Sequence, residues 1–222
     1  MVGRRLLPSL ALAVLITLPA RAEDLPDLKR GDVIFQNSQS AQSLAILLAT
    51  DSPFTHVGIL DFDAAGNPVV LEAVRTTRAT PLQDWVAQGK DGAVAVYRME
   101  ELGSDTALAV TEAARSHLGK GYDPYFFQSE DTIYCSELVH IAFRDGAGVA
   151  LGQVQALGDL NLDSAAVRAL IAERWQSHPA CSDGQAQDAE SCLALIRDEP
   201  LVTPQAVAED GRLRLVFSSF DG

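Results

Sequence analysis

Asp131-Thr132-Ile133-Tyr134-Cys135-Ser136-Glu137-Leu138 is the stretch on which the reading of this chain turns. It sets an odd cysteine just ahead of the apolar positions Leu138, Val139, Ile141, Ala142 and Phe143, the spacing of a buried helix that ends at Gly146 or Gly148. A thiol in the first turn of such a helix meets unpaired backbone N–H groups and the positive end of the helix dipole, and both favour the thiolate. The same N–H groups can hold an oxyanion. The competing reading is an inert buried cysteine, a common component of protein cores.

The cysteine count sharpens the choice. Of three cysteines, Cys181 and Cys192 have ten residues between them in a polar stretch, and pairing them in an oxidising compartment leaves Cys135 as a free thiol. Export is read from residues 1–22, a signal peptide in which Arg4 and Arg5 precede the apolar run Leu6 to Leu18 and Ala20-Arg21-Ala22 supplies a small-x-small cleavage pattern. The run is too short for a stable membrane span. No cysteine follows it closely, so the sequence predicts no lipoprotein anchor and a mature chain beginning near Glu23 in the periplasm. Cleavage near Ala22 removes three arginines and no acid, leaving 14 basic against 30 acidic side chains, a net charge of −16. That charge excludes nucleic-acid binding and bulk attraction to anionic lipid surfaces.

Residues 23–222 have the length and apolar content of a single domain, and no repeat or long linker divides them. The segment 177–200, rich in Ser, Asp, Gln and Pro, reads as a surface excursion stapled by the disulfide, with a stabilising role. Upstream, Gly31 to Phe35 reads as a buried strand, Ser40 to Thr50 as a helix, and His56-Val57-Gly58-Ile59-Leu60-Asp61 with Val69-Val70-Leu71-Glu72-Ala73-Val74 as a hairpin turned at Ala64 to Pro68. Setting Asp61 opposite Asn67 puts His56 opposite Glu72 on one face, about 5 Å apart at Cβ. A carboxylate so placed orients the imidazole and stabilises its cation, as in a catalytic triad. The bland version is an ordinary cross-strand surface pair.

Farther on, Pro81 to Ala87 reads as a short helix, Ala93 to Met99 as a strand, and Ser104 to Leu118 as an amphipathic helix broken by Gly119 and Gly121. Tyr122 to Phe127 places four aromatics in six residues, to be read as core or as one wall of an apolar cleft, with core preferred. Among the other histidines, His140 lies on the cysteine's own helix and points elsewhere, and His117 and His178 lack a strand setting. Asp32, Thr55, Ser136 and Glu137 are read as backbone-bonding groups. Asp123 is a candidate lining of the cleft that would favour a cationic substrate group.

Five blocks in this order carry a family resemblance: Gly31-Asp32-Val33-Ile34-Phe35, Ser52-Pro53-Phe54-Thr55-His56-Val57-Gly58-Ile59, Leu71-Glu72-Ala73-Val74, Tyr122-Asp123 and Tyr134-Cys135-Ser136-Glu137-Leu138-Val139. Together they resemble the YiiX/YebB-like permuted papain-like cysteine hydrolases, related to NlpC-type cell-wall peptidases. The resemblance implies an α+β fold, a circularly permuted papain-like one in which an antiparallel sheet packs against helices and the His-bearing strand precedes the Cys-bearing helix. It also implies a triad, by position Cys135, His56 and Glu72. The loop holding Cys181 and Cys192 departs from the family core, whereas Leu201 to Pro204 and Leu213 to Phe217 resemble its closing segment.

The expected activity is that of a periplasmic cysteine hydrolase cleaving an amide in a peptide, peptidoglycan-like or N-acyl substrate, without cofactor or metal. Cys135 attacks, His56 moves the proton and Glu72 orients it. The backbone N–H of Cys135 helps hold the oxyanion, with Tyr134 as a second donor and Tyr122 and Asp123 as further cleft candidates. The alternatives are a thioesterase or acyltransferase acting on an acyl-lipid, as in the similar lecithin:retinol acyltransferase group, and a binding module for lipid or amino-acyl ligands that turns nothing over. A zinc site from His56, Glu72 and Cys135 lacks any close-spaced ligand pair.

Overall fold

The structure, a computed structural model, describes residues 25–40, 42–127, 129 and 131–220, so the signal peptide read at 1–22 lies outside the described residues. Its centre is a six-stranded antiparallel sheet. The strands are β1 (Val33–Ser38), β2 (His56–Phe62), β3 (Pro68–Ala73), β4 (Thr77–Pro81), β5 (Gly89–Met99) and β10 (Leu213–Ser218), in the order β10-β5-β1-β2-β3-β4. The central strands β1 and β2 are buried along most of their length because both sheet faces are covered.

Alternation along the strands sorts these side chains into two cores. Val33, Phe35, Val57, Ile59, Leu71 and Ala73 face α3 (Ser104–Arg115) and α4 (Cys135–Ala147), meeting Val110, Ala114, Leu138, Val139 and Phe143. Ile34, Leu60, Val70, Val94 and Val96 face Leu82, Trp85 and Val86 of α2 (Leu82–Gln88). Helices α3 and α4 pack closely because Gly146 has no side chain; a Cβ there would lie 2.4 Å from the Val110 backbone. The buried Asp61 ties sheet to helix by accepting from Arg30 and from Arg115 Nε at 2.6 Å.

The β2–β3 register differs from the expected one. Asp61 pairs with Val69 and Ile59 with Leu71, a slide of two residues. The cause is the turn, where the Asp63 carboxylate accepts the N–H groups of Ala65 and Asn67 at 2.9 and 2.8 Å, so that Asp63 and Asn67 close the hairpin. A slide of two keeps every side chain on its face, and His56 and Glu72 meet on a diagonal.

The remaining chain builds a lobe beside the N-terminus of α4. It comprises α1 (Ser43–Thr50), α5 (Ala165–Arg174), α6 (Ala189–Ile196) and α7 (Pro204–Ala208), with short strand pairs β6 (Gly121–Tyr122) with β7 (Thr132–Ile133), and β8 (Gln155–Ala156) with β9 (Pro200–Leu201). The segment 177–200 is more than a surface excursion. Cys181 and Cys192 form a disulfide, and with Ala186 and Ile196 they make a small core against Leu157, Trp175 and Leu193. Polar composition concealed it, because a helix that packs on a lobe needs only one apolar stripe.

Candidate active site

Cys135 is the first residue of α4, a free thiol 3% exposed. Tyr134 ahead of it is extended, and the Tyr134 N–H donates to Glu137 Oε2 at 3.3 Å, closing the first turn. His56 is the first residue of β2 and Glu72 lies in β3; both are buried, and His56 Nε2 is 2.7 Å from Glu72 Oε2. The Cys135 thiol lies close enough to the imidazole and to the Val57 N–H for both to favour its charged form.

Burial opposes charge on all three groups, and their hydrogen bonds overcome it. The bonds to Cys135 and Glu72 push the His56 pKa up to about 10. The Cys135 thiol is held below its ordinary value by His56, Val57 and Ser136, and Glu72 by His56, Thr80 and Arg78. The shifts of Cys135 and His56 run in the directions that favour a thiolate beside an imidazolium, and that of Glu72 favours its carboxylate.

Several supports were not read from the sequence. Glu72 Oε1 accepts from Thr80 Oγ1 at 2.6 Å and from Arg78 Nε and Nη2 at 3.1 and 3.0 Å, both residues on β4. The indole of Trp85 stacks on His56 at 6.0 Å. The β-branched Thr77 and Thr80 are a weak strand signal, but nothing local announces that Arg78 and Thr80 meet a buried carboxylate.

The oxyanion candidates separate. Tyr134 is turned away, its hydroxyl accepting from the Val202 N–H at 3.1 Å. Tyr122 is close enough to Cys135 to feel its charge; burial first, and then the thiolate, raise its pKa and keep it protonated. Its orientation follows from donor rules. Arg174 Nη1 can only donate, so Gln42 Oε1 faces it at 2.9 Å; the Gln42 amide nitrogen then faces the Tyr122 oxygen at 2.5 Å. Tyr122 accepts there, which leaves its own proton for another partner.

Asp123 lines neither cavity beside the triad. Its Oδ1 accepts the Tyr125 N–H at 2.8 Å and holds the turn in which Phe126 takes a φ of 58°. Pro124, Tyr125 and Phe126 wall an apolar cavity that opens on Cys135, so this aromatic segment is cleft rather than core. Ser136 and Thr55 bond backbone as expected, to Val202 O and from the Ser38 N–H, both at 2.8 Å. Asp32 closes its turn with the Lys29 N–H at 2.8 Å, and Arg98 holds it bidentately. His140 Nδ1 donates to Leu151 O at 2.8 Å and faces away from the thiol.

The family model for the permuted papain-like amidase enzymes, YaeF/YiiX, C92 family, matches residues 27–217. The chain belongs to the C92 family. Among its C92 relatives, it is 34% identical over 208 residues to the uncharacterised protein YiiX of Escherichia coli strain K12, across 93% of each chain. The crystal structure of metalloprotein yiiX from Escherichia coli O157:H7 superposes with a TM-score of 0.76 at 34% identity, covering 87% of this chain and 98% of that one. The C92 chemistry is that of a cysteine amidase on an α+β permuted papain-like fold, as the resemblance implied.

Proposed function

We propose that this chain is an exported cysteine amidase working through Cys135, His56 and Glu72. The observation that supports the reading is a buried His56 imidazole, hydrogen-bonded through Nε2 to the Glu72 carboxylate, beside the free thiol at the start of α4.

The thiolate adds to the amide carbonyl carbon, and the carbonyl π electrons move onto oxygen. The Cys135 backbone N–H and the Tyr122 hydroxyl receive that oxyanion. Collapse breaks the C–N bond as imidazolium His56 gives its proton to the departing nitrogen, leaving a thioester on Cys135. Water then attacks the thioester while neutral His56 takes its proton. The acid product leaves and the thiolate–imidazolium pair is restored. Glu72 stays bonded to Nε2 at the ring edge and stabilises the imidazolium, acting as a positioning residue.

The metal named for the Escherichia coli structure is not carried into this mechanism. Among the described residues no three His, Cys, Asp or Glu side chains gather to hold an ion, and His56 Nε2 is taken by Glu72. Export is supported by the Arg4-Arg5 and Leu6 to Leu18 pattern and by the Cys181–Cys192 disulfide, a bond of oxidising compartments. No helix among the described residues is long and apolar enough to cross a membrane.

The test is the pH dependence of iodoacetamide alkylation at Cys135 in the secreted protein, whose first residue should be Glu23. Wild type should react fast below neutral pH, because its thiol titrates below the ordinary value. His56→Ala should move the midpoint up to that value or beyond, and Glu72→Gln should give an intermediate profile. An ordinary thiol profile indifferent to both changes would reject the triad and favour a ligand-binding module.

A further inference from the structure

Glu72 holds more donors than its two oxygens need. Its side chain is fully buried, His56 Nε2 lies 2.7 Å from Oε2, and Thr80 Oγ1 donates to Oε1 at 2.6 Å, so each oxygen has a partner without Arg78. Arg78 stands directly opposite Glu72 in the β3–β4 register, and its Nε and Nη2 both donate to Oε1, at 3.1 and 3.0 Å. An arginine fork ordinarily spans both oxygens of a carboxylate. This one closes on a single oxygen and leaves Oε2 to the imidazole. Gln88 Oε1 accepts from the same Nη2 at 3.4 Å and gives the guanidinium a second anchor.

The bland reading is a cross-strand ion pair that staples the outer strand β4 to β3. Charge balance argues for more. In the state that the shifts favour, thiolate, imidazolium and carboxylate carry one net negative charge in a buried site, and the Arg78 guanidinium neutralises it. Its donors sit on the oxygen remote from His56, so they draw electron density from Oε2 and weaken the carboxylate's support of the imidazolium. Its positive charge also opposes a second cation across the carboxylate. Both effects make the imidazolium more acidic. That matters for turnover, because a His56 pKa pushed up to about 10 makes the ring a reluctant donor at neutral pH. We propose that Arg78 is a positioning residue for proton transfer: acting through Glu72 Oε1, it keeps the His56 imidazolium acidic enough to protonate the departing nitrogen as the C–N bond breaks. This rests on the cysteine-amidase reading and adds the residue that tunes its acid. Around the ring stand Cys135 of α4, Glu72 of β3, the uncharged indole of Trp85 from α2, and Arg75 and Tyr122 in the cavity lined by His56 and Gln88. None of these changes in an Arg78 variant.

The test is the titration of the His56 ring, followed by NMR with isotope-labelled histidine in wild type, Arg78→Gln, Arg78→Lys and Cys135→Ala. Arg78→Gln, which keeps a hydrogen-bonding side chain and loses the charge, should raise the His56 midpoint by about one unit, the low end for a neighbouring charge because Arg78 is 47% exposed. Arg78→Lys should restore most of the wild-type value, which a merely structural role would not predict, and salt at about 1 M should shrink the difference between wild type and Arg78→Gln. A second readout follows proton delivery without a substrate. Attack of Cys135 on bis(2-hydroxyethyl) disulfide, whose leaving thiolate is basic and gains from a proton, should slow several-fold in Arg78→Gln relative to attack on an aromatic disulfide, whose leaving thiolate needs none. An unchanged midpoint in Arg78→Gln, with Cys135→Ala still lowering it, would overturn the role of Arg78 and leave the triad standing. Equal shifts in Arg78→Gln and Arg78→Lys would overturn tuning by charge, and an unchanged ratio of the two disulfide rates would overturn the effect on proton delivery. A midpoint indifferent to Cys135→Ala, or a thiol inert to both disulfides, would overturn the amidase reading itself.

Discussion

At Tyr122 a single hydroxyl has its direction set by residues it was never expected to meet. Arg174 fixes the Gln42 amide, and Gln42 in turn fixes which way the phenol can donate. If that proton meets the oxyanion, Tyr122→Phe should lower kcat by about 10²- to 10³-fold while leaving KM and the alkylation profile of Cys135 nearly unchanged. Steady-state kinetics beside alkylation separates this from general damage, which would move all three. Tyr134→Phe should spare kcat, because that hydroxyl holds Val202 in the lobe. The aromatic residue adjoining the cysteine in sequence was the natural guess. A residue immediately before a helix, however, projects away from the first-turn side chain, and only the strand pair β6–β7 carries Tyr122 back toward the thiol.

At the scale of the element, α4 carries an ionisable group in its first turn besides the nucleophile. Burial, and then the charge of Asp123, raise the Glu137 pKa to about 7 although the Tyr134 N–H favours the carboxylate. The sign follows from linkage. A carboxyl whose folded pKa lies above its unfolded value of 4.5 stabilises the fold below that value, and the contribution disappears as pH rises through about 7. Wild type and Glu137→Gln should therefore differ little in Tm near pH 4.5, and the glutamine variant should gain steadily on wild type between pH 4.5 and 7. Thermal denaturation across that range checks it; a constant offset would show that Glu137 does not titrate there. The helix itself was legible, since its apolar stripe and the glycines that end it are local features. The hairpin was legible in existence and face, but its register depended on side-chain bonds from Asp63 that a count of turn residues did not weigh.

At the scale of the molecule, the sheet, α3 and α4 form the frame for the triad, and the lobe walls the apolar cavity lined by Cys135 while its Val202 and Val207 join the frame's core. The Cys181–Cys192 bond belongs to that wall. Replacing both cysteines by serine should cost about 2–3 kcal/mol of stability through the freed loop. It should leave Cys135 alkylation intact, because neither cysteine touches the triad. Chemical denaturation and the alkylation profile report these separately; a loss of fast alkylation at Cys135 would show that the staple also holds the site.

What the sequence determined by itself is whatever depends on near neighbours. The α4 helix and its cysteine, the β2–β3 hairpin with His56 and Glu72 on one face, and the pairing left to Cys181 and Cys192 all follow from periodicity, turn chemistry and counting. What only the tertiary structure decided is whatever depends on contacts between distant segments. Thr80 and Arg78 on Glu72, Trp85 on His56, and the apolar cavity that the lobe closes beside Cys135 are contacts of this kind. Their physical reason is that a side chain's partners across a sheet or between lobes are set by how whole elements pack, and no spacing within one element encodes that packing.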